Sequence, residues 1–158
     1  MNRENSITAG GTGSGVDRQA WMSLLASANA AALQELWQSY GQNPDHAWLR
    51  PPEVGGVMVR GRMGASGAAF NLGEMTVTRC ALTLADGVVG HGYVQGRNKA
   101  QAEIAAKIDA LMQTGAAADV QRQILAPLRE AKQAKKAARA AKAAATKVDF
   151  FTMVRGED

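Results

Sequence analysis

The sequence predicts an α+β fold: an N-terminal helical hairpin, an antiparallel meander of about four strands packed against a helix, a long Ala/Lys-rich helical arm and an apolar C-terminal tail. Three observations lead to this prediction. Residues 75–84 alternate between two faces, as a half-buried strand does. Asp86 and Gly87 form a strong hairpin signal, predicted as a type I′ turn. Residues 99–112 show apolar side chains at helical spacing, so a helix closes the sheet.

Two short helices precede the strands. Asp17 is predicted to cap the first helix, and Asn29 to cap the second, which Gly41 ends. The apolar face of the first helix carries Trp21, Leu24, Leu25 and Ala28, and that of the second carries Leu33, Leu36, Trp37 and Tyr40. Both faces have the spacing of an amphipathic helix, and the pair is typical of a helical hairpin.

The strands are separated by glycine- and proline-rich segments. Two prolines and two glycines in 51–56 predict a turn between a strand at 48–50 and a strand at 57–63. A loop of small residues at 64–69 leads to the strand at 75–84, and 88–94 is the return strand. These four runs make the predicted meander.

The helix after the meander has a clear start. Asn98 is its predicted N-cap, and Gln101 stands three residues on, as in a capping box. Its apolar stripe consists of Ile104, Ala105, Ile108, Leu111 and Met112. This stripe is expected to lie across the sheet and complete the core.

The chain changes character after Gly115. The segment EAKQAKKAARAAKAAAT favours helix strongly but has almost no bulky side chains, so it cannot bury much of itself. The sequence therefore divides into a disordered N-terminal segment at 1–16, a core domain at 17–115, a helical arm at 116–147 and a docking tail at 148–158. The tail is assigned to docking because Phe150, Phe151, Met153 and Arg155 are anchor residue types in interfaces.

Composition limits the classes of function. The 158 residues carry a net charge of +4, which suits nucleic acid, an anionic ligand or an acidic partner. The basic late helix lacks interleaved aromatic residues, so nucleic acid is an unlikely partner. Cys80 is the single cysteine, which excludes an internal disulfide and a cysteine-held cluster. No signal peptide or bilayer-spanning run is recognised, so we expect a cytoplasmic chain that binds no metal or cofactor and contacts no membrane.

The strongest candidate site is the start of the helix at Asn98. Arg97 and Lys99 flank this N-cap, and free backbone N–H groups with two cations favour a phosphate or another anion. A plain capped turn with exposed cations explains the same residues, and spacing alone favours it. Arg62 begins a small glycine loop at 62–70 that allows close approach of a ligand, although a simple connection between strands is the alternative.

No catalytic constellation emerges from the spacing. His91 is the only candidate for a general base, and it has no assignable Ser, Cys or Asp partner. A half-buried structural histidine is the favoured interpretation. Cys80, on an alternating strand, is interpreted as a small buried hydrophobe.

Several long strings of this sequence resemble the PhnG family of the bacterial carbon–phosphorus lyase machinery. These strings are RMG at 62–64, FNLGEMTVTRC at 70–80, GHGYVQGR at 90–97 and VDFFTMVRG at 148–156, with RQAWM at 18–22 and ILAPL at 124–128. The resemblance runs from about Asp17 to the end of the chain. Two departures are Asn98, where the family pattern has an aspartate, and the simplified Ala/Lys arm.

The resemblance implies a role in phosphonate catabolism. Members assemble with PhnI, PhnH and PhnJ into a core complex that forms α-D-ribose 1-methylphosphonate 5-triphosphate from ATP and methylphosphonate, with release of adenine. The radical cluster chemistry belongs to PhnJ, so this chain is expected to be a non-catalytic or accessory subunit. The alternative is a subunit that itself contributes first-shell residues, such as Arg97, Lys99 or His91, to a shared active site. Among its partners the resemblance also implies indirect contact with ATP or the ribose triphosphate phosphonate.

Overall fold

The three strands form one antiparallel sheet in the order β1–β2–β3. The computed structural model describes the backbone of residues 13–147 and the side chains of residues 17–147. In chain order the elements are α1 (Gly13–Ala26), α2 (Ala30–Tyr40), β1 (His46–Arg62), a 3₁₀ turn (Met63–Ala65), β2 (Ala69–Leu84), β3 (Val89–Gln95), α3 (Lys99–Leu111), α4 (Ala117–Val120), a π-helical turn (Gln121–Leu125) and α5 (Ala126–Ala145). The predicted α+β class is confirmed.

The prediction of about four strands was wrong, because the described residues form three strands. The segment at 51–56 is not a turn but part of β1. β1 runs unbroken from His46 to Arg62, and irregularities in its register with β2 between Trp48 and Glu53 absorb the two prolines. β1 is an edge strand, where an N–H missing from the ladder costs little. Proline and glycine content alone could not distinguish an irregular edge strand from a turn.

The hairpin between β2 and β3 is located as predicted but has a different turn. Leu84 N–H bonds to the Val88 carbonyl over 2.9 Å and Gly87 N–H to the Leu84 carbonyl over 3.0 Å, which leaves three residues in the loop. Gly87 has a φ of 84°, whereas Asp86 is not among the residues with positive φ. The type I′ prediction was therefore wrong, and the loop is the three-residue form that ends in a left-handed glycine. The Asp86 carboxylate accepts the Val88 N–H over 3.1 Å.

Two of the predicted helix N-caps are confirmed and one is not. Asn29 accepts from Ala32 N–H over 3.1 Å, and Asn98 accepts from Gln101 N–H over 3.0 Å. Asp17 lies inside α1, which begins at Gly13, so it is not a cap. The reciprocal half of the capping box is also absent, since the Gln101 side chain donates to the Ala28 carbonyl over 3.0 Å.

The core lies between one face of the sheet and the helices. β2 contributes Cys80, Leu82 and Leu84, as its alternation predicted, and α3 contributes Ala105, Ile108 and Leu111. The other buried apolar residues of this cluster are Leu24, Leu25, Leu33, Trp37, Tyr40, Val94, Ala102, Ala106, Ala110, Val120, Ile124, Leu125 and Leu128. Alanines on α3 therefore pack in one cluster with larger apolar side chains from α1, α2 and the π-helical turn.

α3 packs unusually close to β3 because two glycines face it. A Cβ added at Gly92 would lie 2.0 Å from the Ala102 carbonyl oxygen, and one at Gly90 would lie 2.0 Å from that of Ala106. Backbone atoms of the helix occupy the space that side chains would fill. The glycines on either side of His91 are therefore explained by the close contact between β3 and the backbone of α3.

The β1–β2 hairpin continues well past β3. β3 pairs with β2 only from Val77 to Thr83, while β1 pairs with β2 as far as Arg62 and Ala69. We call residues 56–76 the hairpin extension. Its β1 side, 56–62, spans roughly 20 Å at about 3.4 Å per residue.

Helix α5 separates from the core early. Leu128 is its one buried residue, and every side chain from Arg129 to Lys147 is exposed. The predicted tail at 148–158 lies outside the described residues, as does most of the predicted N-terminal segment, 1–12. No helix between residues 13 and 147 combines the length and the apolar character that crossing a bilayer requires.

We expect Gly92→Ala to lower the free energy of unfolding by about 3 kcal/mol, because the new methyl group displaces the backbone of α3. Gly73→Ala is the matched control on β2, where an added Cβ meets nothing within 4 Å. Its effect should stay within about 0.5 kcal/mol. Urea unfolding of both variants measures the difference, and equal small losses would contradict the proposed backbone contact.

Candidate functional site

The N-terminus of α3 lies directly after β3, at the base of the hairpin extension. Gly96 makes the turn with a φ of 91°, in the left-handed region that favours glycine. Its N–H donates to the Thr76 carbonyl over 2.9 Å. Its own carbonyl accepts the Thr78 hydroxyl over 2.8 Å. These two bonds fix the backbone that leads into residues 97–99 against β2.

The electrostatics at this helix end are positive. Arg97 and Lys99 are exposed, and neither makes a hydrogen bond or ion pair with any residue that the structure describes. Asn98 uses its side chain to cap Gln101 N–H, while the first-turn N–H groups add the positive end of the helix dipole. The arrangement can accept a phosphate or a carboxylate without rearranging the core.

Arg62 lies elsewhere. It pairs with Ala69 at the outer end of the hairpin extension, and its guanidinium donates to the Gly67 carbonyl over 2.9 Å. Gly96 instead bonds at Thr76, roughly 24 Å away along β2. The structure therefore does not bring Arg62 together with Arg97 and Lys99. Arg62 instead closes the small-residue loop.

His91 and Cys80 occupy opposite environments. The His91 side chain is exposed, so the interpretation as a half-buried structural histidine was wrong. Cys80 is buried and donates to the Ala102 carbonyl over 3.2 Å, which confirms it as a buried residue of the core. Burial raises the pKa of its thiol to about 11, so the thiolate needed for nucleophilic chemistry is scarce near neutral pH.

The most connected polar group in the described structure is the carboxylate of Asp109. Arg18 donates to it twice, over 3.1 and 2.7 Å, and the Trp21 indole N–H donates over 2.9 Å. The His91 backbone N–H, on the outer edge of β3, completes the set over 2.9 Å. Asp109 is 0% exposed, so these donors replace water completely. The carboxylate joins α1, α3 and the sheet edge.

A second buried charge lies two residues earlier on α3. The Lys107 ammonium donates to Asn43 Oδ1 and to Glu103 Oε1, each over 2.7 Å. It ties α3 to the segment that joins α2 to β1. Sequence reasoning found neither Lys107 nor Asp109, because both occur in the helical stretch where polar residues are expected to face solvent. Their neighbours on α3 are small or apolar, which was the one available signal.

We expect Asp109→Ala to destabilise the fold by about 3 kcal/mol, because the partly exposed Arg18 guanidinium, the Trp21 indole N–H and the His91 backbone N–H lose their acceptor together. Asp119→Ala removes an exposed carboxylate that pairs with Arg122 and should cost about 1 kcal/mol or less. Thermal and urea unfolding measure both variants. A similar small cost at both positions would show that the network around Asp109 contributes little.

Among the described side chains, no group of three or more His, Cys, Asp or Glu residues is arranged to hold a metal ion. The buried ionisable groups are held in structural bonds. The polar surface that remains available to a ligand or a partner is therefore the positive start of α3 around Arg97, together with exposed cations of α5 and of the hairpin extension.

Comparison with known proteins identifies the family. The profile described as phosphonate metabolism protein PhnG matches residues 16–156. A relative from Rhizobium meliloti (strain 1021), named alpha-D-ribose 1-methylphosphonate 5-triphosphate synthase subunit PhnG, is 44% identical over 141 residues, which cover 89% of this chain and 90% of the relative. The match includes nearly all of the described fold and the segment around Arg97, and the chain therefore belongs to the PhnG family of phosphonate metabolism proteins.

Proposed function

We propose that this chain is the PhnG subunit of a carbon–phosphorus lyase core complex. With PhnI, PhnH and PhnJ, it supports the formation of α-D-ribose 1-methylphosphonate 5-triphosphate from ATP and methylphosphonate, with release of adenine. The observation that carries the proposal is the 44% identity to a named synthase subunit across 89% of the chain. We also propose a cytoplasmic location, which the use of ATP as a substrate supports.

Within that complex we assign the chain an accessory role in assembly. Asp109 and Lys107 are buried and engaged in structural bonds, and the Cys80 thiol is protonated near neutral pH. By contrast, exposed apolar and cationic side chains lie on the hairpin extension and along α5. This distribution supports a chain whose surface binds other subunits.

A second candidate role rests on Arg97. The exposed Arg97 guanidinium and the exposed Lys99 ammonium are unpaired among the described residues. Both groups lie next to the N-terminal N–H groups of α3. Such a site suits the triphosphate of the nucleotide or an acidic residue of a partner. In this second role, Arg97 and Lys99 form one positively charged side of an active site whose other residues come from a partner subunit.

We expect Arg97→Ala to leave the free energy of unfolding within about 0.5 kcal/mol, since the side chain makes no bond in the described structure. Loss of a charge-assisted contact should weaken assembly or nucleotide binding by about 1.5–3 kcal/mol. Calorimetric titration of the complex with ATP, beside subunit affinity measurements, separates the two roles. Arg122→Ala, which removes an exposed cation paired with Asp119, is the control.

Wild-type assembly together with wild-type ATP binding in the Arg97→Ala complex would reject both roles for this side chain. Weakened ATP binding with intact assembly would assign it to the nucleotide. Weakened assembly would assign it to a partner.

We expect deletion of residues 148–158 to leave a domain that melts cooperatively near the parent temperature but fails to join the complex. The physical reason is that Phe150, Phe151 and Met153 supply large apolar anchors and Arg155 a charged one. Differential scanning calorimetry and gel filtration with the partner subunits test the two halves of this expectation. An unfolded truncated chain would place the tail in its own core, and unimpaired assembly would remove its docking role.

A further inference from the structure

We propose that the hairpin extension, residues 56–76, inserts into an apolar cleft of another subunit of the assembly, and that carboxylates line the wall of that cleft facing Arg60 and Arg62. The inference rests on the proposed function, because it requires that the chain act inside a complex. It adds the surface through which the chain engages and the chemistry of its partner.

Among the residues that the structure describes, the extension is a two-stranded ribbon. β3 ends opposite Val77, and no described strand pairs with residues 69–76 of β2 on the side that β3 occupies further along. β1 is the outer strand of the sheet on the other side. Two-stranded hairpins are marginally stable in water, and exposed edges invite pairing with another chain. A covering partner would remove both problems.

One face of the extension is apolar. Val57 pairs with Met75, and Val59 lies two residues further along β1 opposite Gly73, so the Val57, Val59 and Met75 side chains share this face. A register irregularity between Val59 and Arg60 leaves Leu72 as an extra residue on β2.

The irregularity also changes which face the following residues of β2 occupy. The Leu72 side chain comes within 3.7 Å of the position of a Cβ at Gly61, and the Phe70 ring within 4.0 Å. Gly61 shares the face of Val59, so the bulge brings both large side chains onto the apolar face. Simple alternation along β2 would have placed them on the other one.

The opposite face combines one large apolar residue with cations that no described carboxylate neutralises. Met58 is 60% exposed there, opposite Glu74. Arg60 is exposed and has no ion pair among the described residues. Glu74 does not neutralise it, because its carboxylate reaches back over Gly56, where a Cβ would come within 1.7 Å of Oε1.

Two cations closer to the core, Arg50 and Arg79, are neutralised by a carboxylate of the same sheet. Arg79 donates to Glu53 over 2.9 Å, and Arg50 also pairs with Glu53. These contacts, led by the Arg79 hydrogen bond, lower the pKa of Glu53 below its usual value. Arg60 and Arg62 pair with no carboxylate between residues 17 and 147, so the positive charge of the extension is available to a partner.

The distribution of exposed apolar side chains favours a cleft over a flat surface. Leu72 is 66% exposed on one face, Met58 is 60% exposed on the other, and Met63 at the tip is 78% exposed. A second copy of this chain stacked against the apolar face would cover Leu72 and leave Met58 and Met63 in water. A cleft that receives the hairpin tip first covers all three.

Maleimide labelling of an introduced cysteine tests the insertion, because the single native cysteine is buried. Cys80 is buried, so Met63→Cys places one accessible thiol at the hairpin tip, and Leu49→Cys places one at a residue that is 59% exposed on β1 outside the extension. Maleimide labelling rates are measured alone and after addition of PhnI, PhnH and PhnJ. We expect labelling at position 63 to slow at least tenfold in the complex and labelling at position 49 to change much less.

Affinity measurements test the chemistry of the cleft. Met58→Ser and Arg60→Glu should each raise the Kd for the partner subunits at least tenfold, while Leu49→Ser leaves it within about twofold. Melting temperatures of the variants should match the parent, because these side chains are exposed. An unchanged Kd for Arg60→Glu would overturn the carboxylate wall.

Unchanged labelling at position 63 inside an intact complex would overturn the insertion itself while the proposed function stands. Protection of position 63 in the isolated chain, with a dimer seen by light scattering, would show that a second copy is the occupant and would also overturn it. Failure of the wild-type chain to bind any of the three subunits would instead count against the proposed function.

Discussion

The carboxylate of Asp109 is fully buried on α3, and its hydrogen-bond donors come from two other elements. Arg18 and Trp21 come from α1, and the backbone of His91 comes from the outer edge of β3. The set of donors is complete only when α1 and β3 are both in position against α3. A buried charge with missing donors costs several kcal/mol, so this one group couples the helices to the sheet in an all-or-none manner.

The contacts of Asp109 also determine where the positive helix end and the hairpin extension lie. Because α3 is held against β3 by Asp109 at one end and by the Gly96 turn at the other, Arg97 has a fixed position relative to the sheet. The hairpin extension begins at Thr76, where Gly96 bonds. The positive helix end and the extension are therefore neighbours on one rigid base, although they are distinct as binding surfaces.

Local signals predicted the local structure well. The alternation of β2, the cap at Asn98 and the left-handed Gly41 each depend on a few adjacent residues, and each was confirmed. The role of Asp109 depends on residues 18 to 91 positions away in sequence, which no spacing rule links to it. The prolines of β1 led to the wrong prediction of a turn. The free-energy cost of a proline in a strand depends on whether the strand is at the edge of its sheet, which the local sequence does not show.

Helix α5 has a mechanical consequence. From Arg129 to Ala145 every described side chain of α5 is exposed, and Lys132 donates to Ser27 Oγ over 3.1 Å. Its alanine-rich composition therefore favours the helical state more than burial does. A helix of this kind acts as a spacer of about 1.5 Å and about 100° per residue. The end of α5 at Ala145 is consequently set at a defined distance and a defined azimuth from the core. One alanine more or fewer would turn that end by more than a quarter of a circle about the helix axis, so the length of the helix, and not only its composition, determines where its end lies.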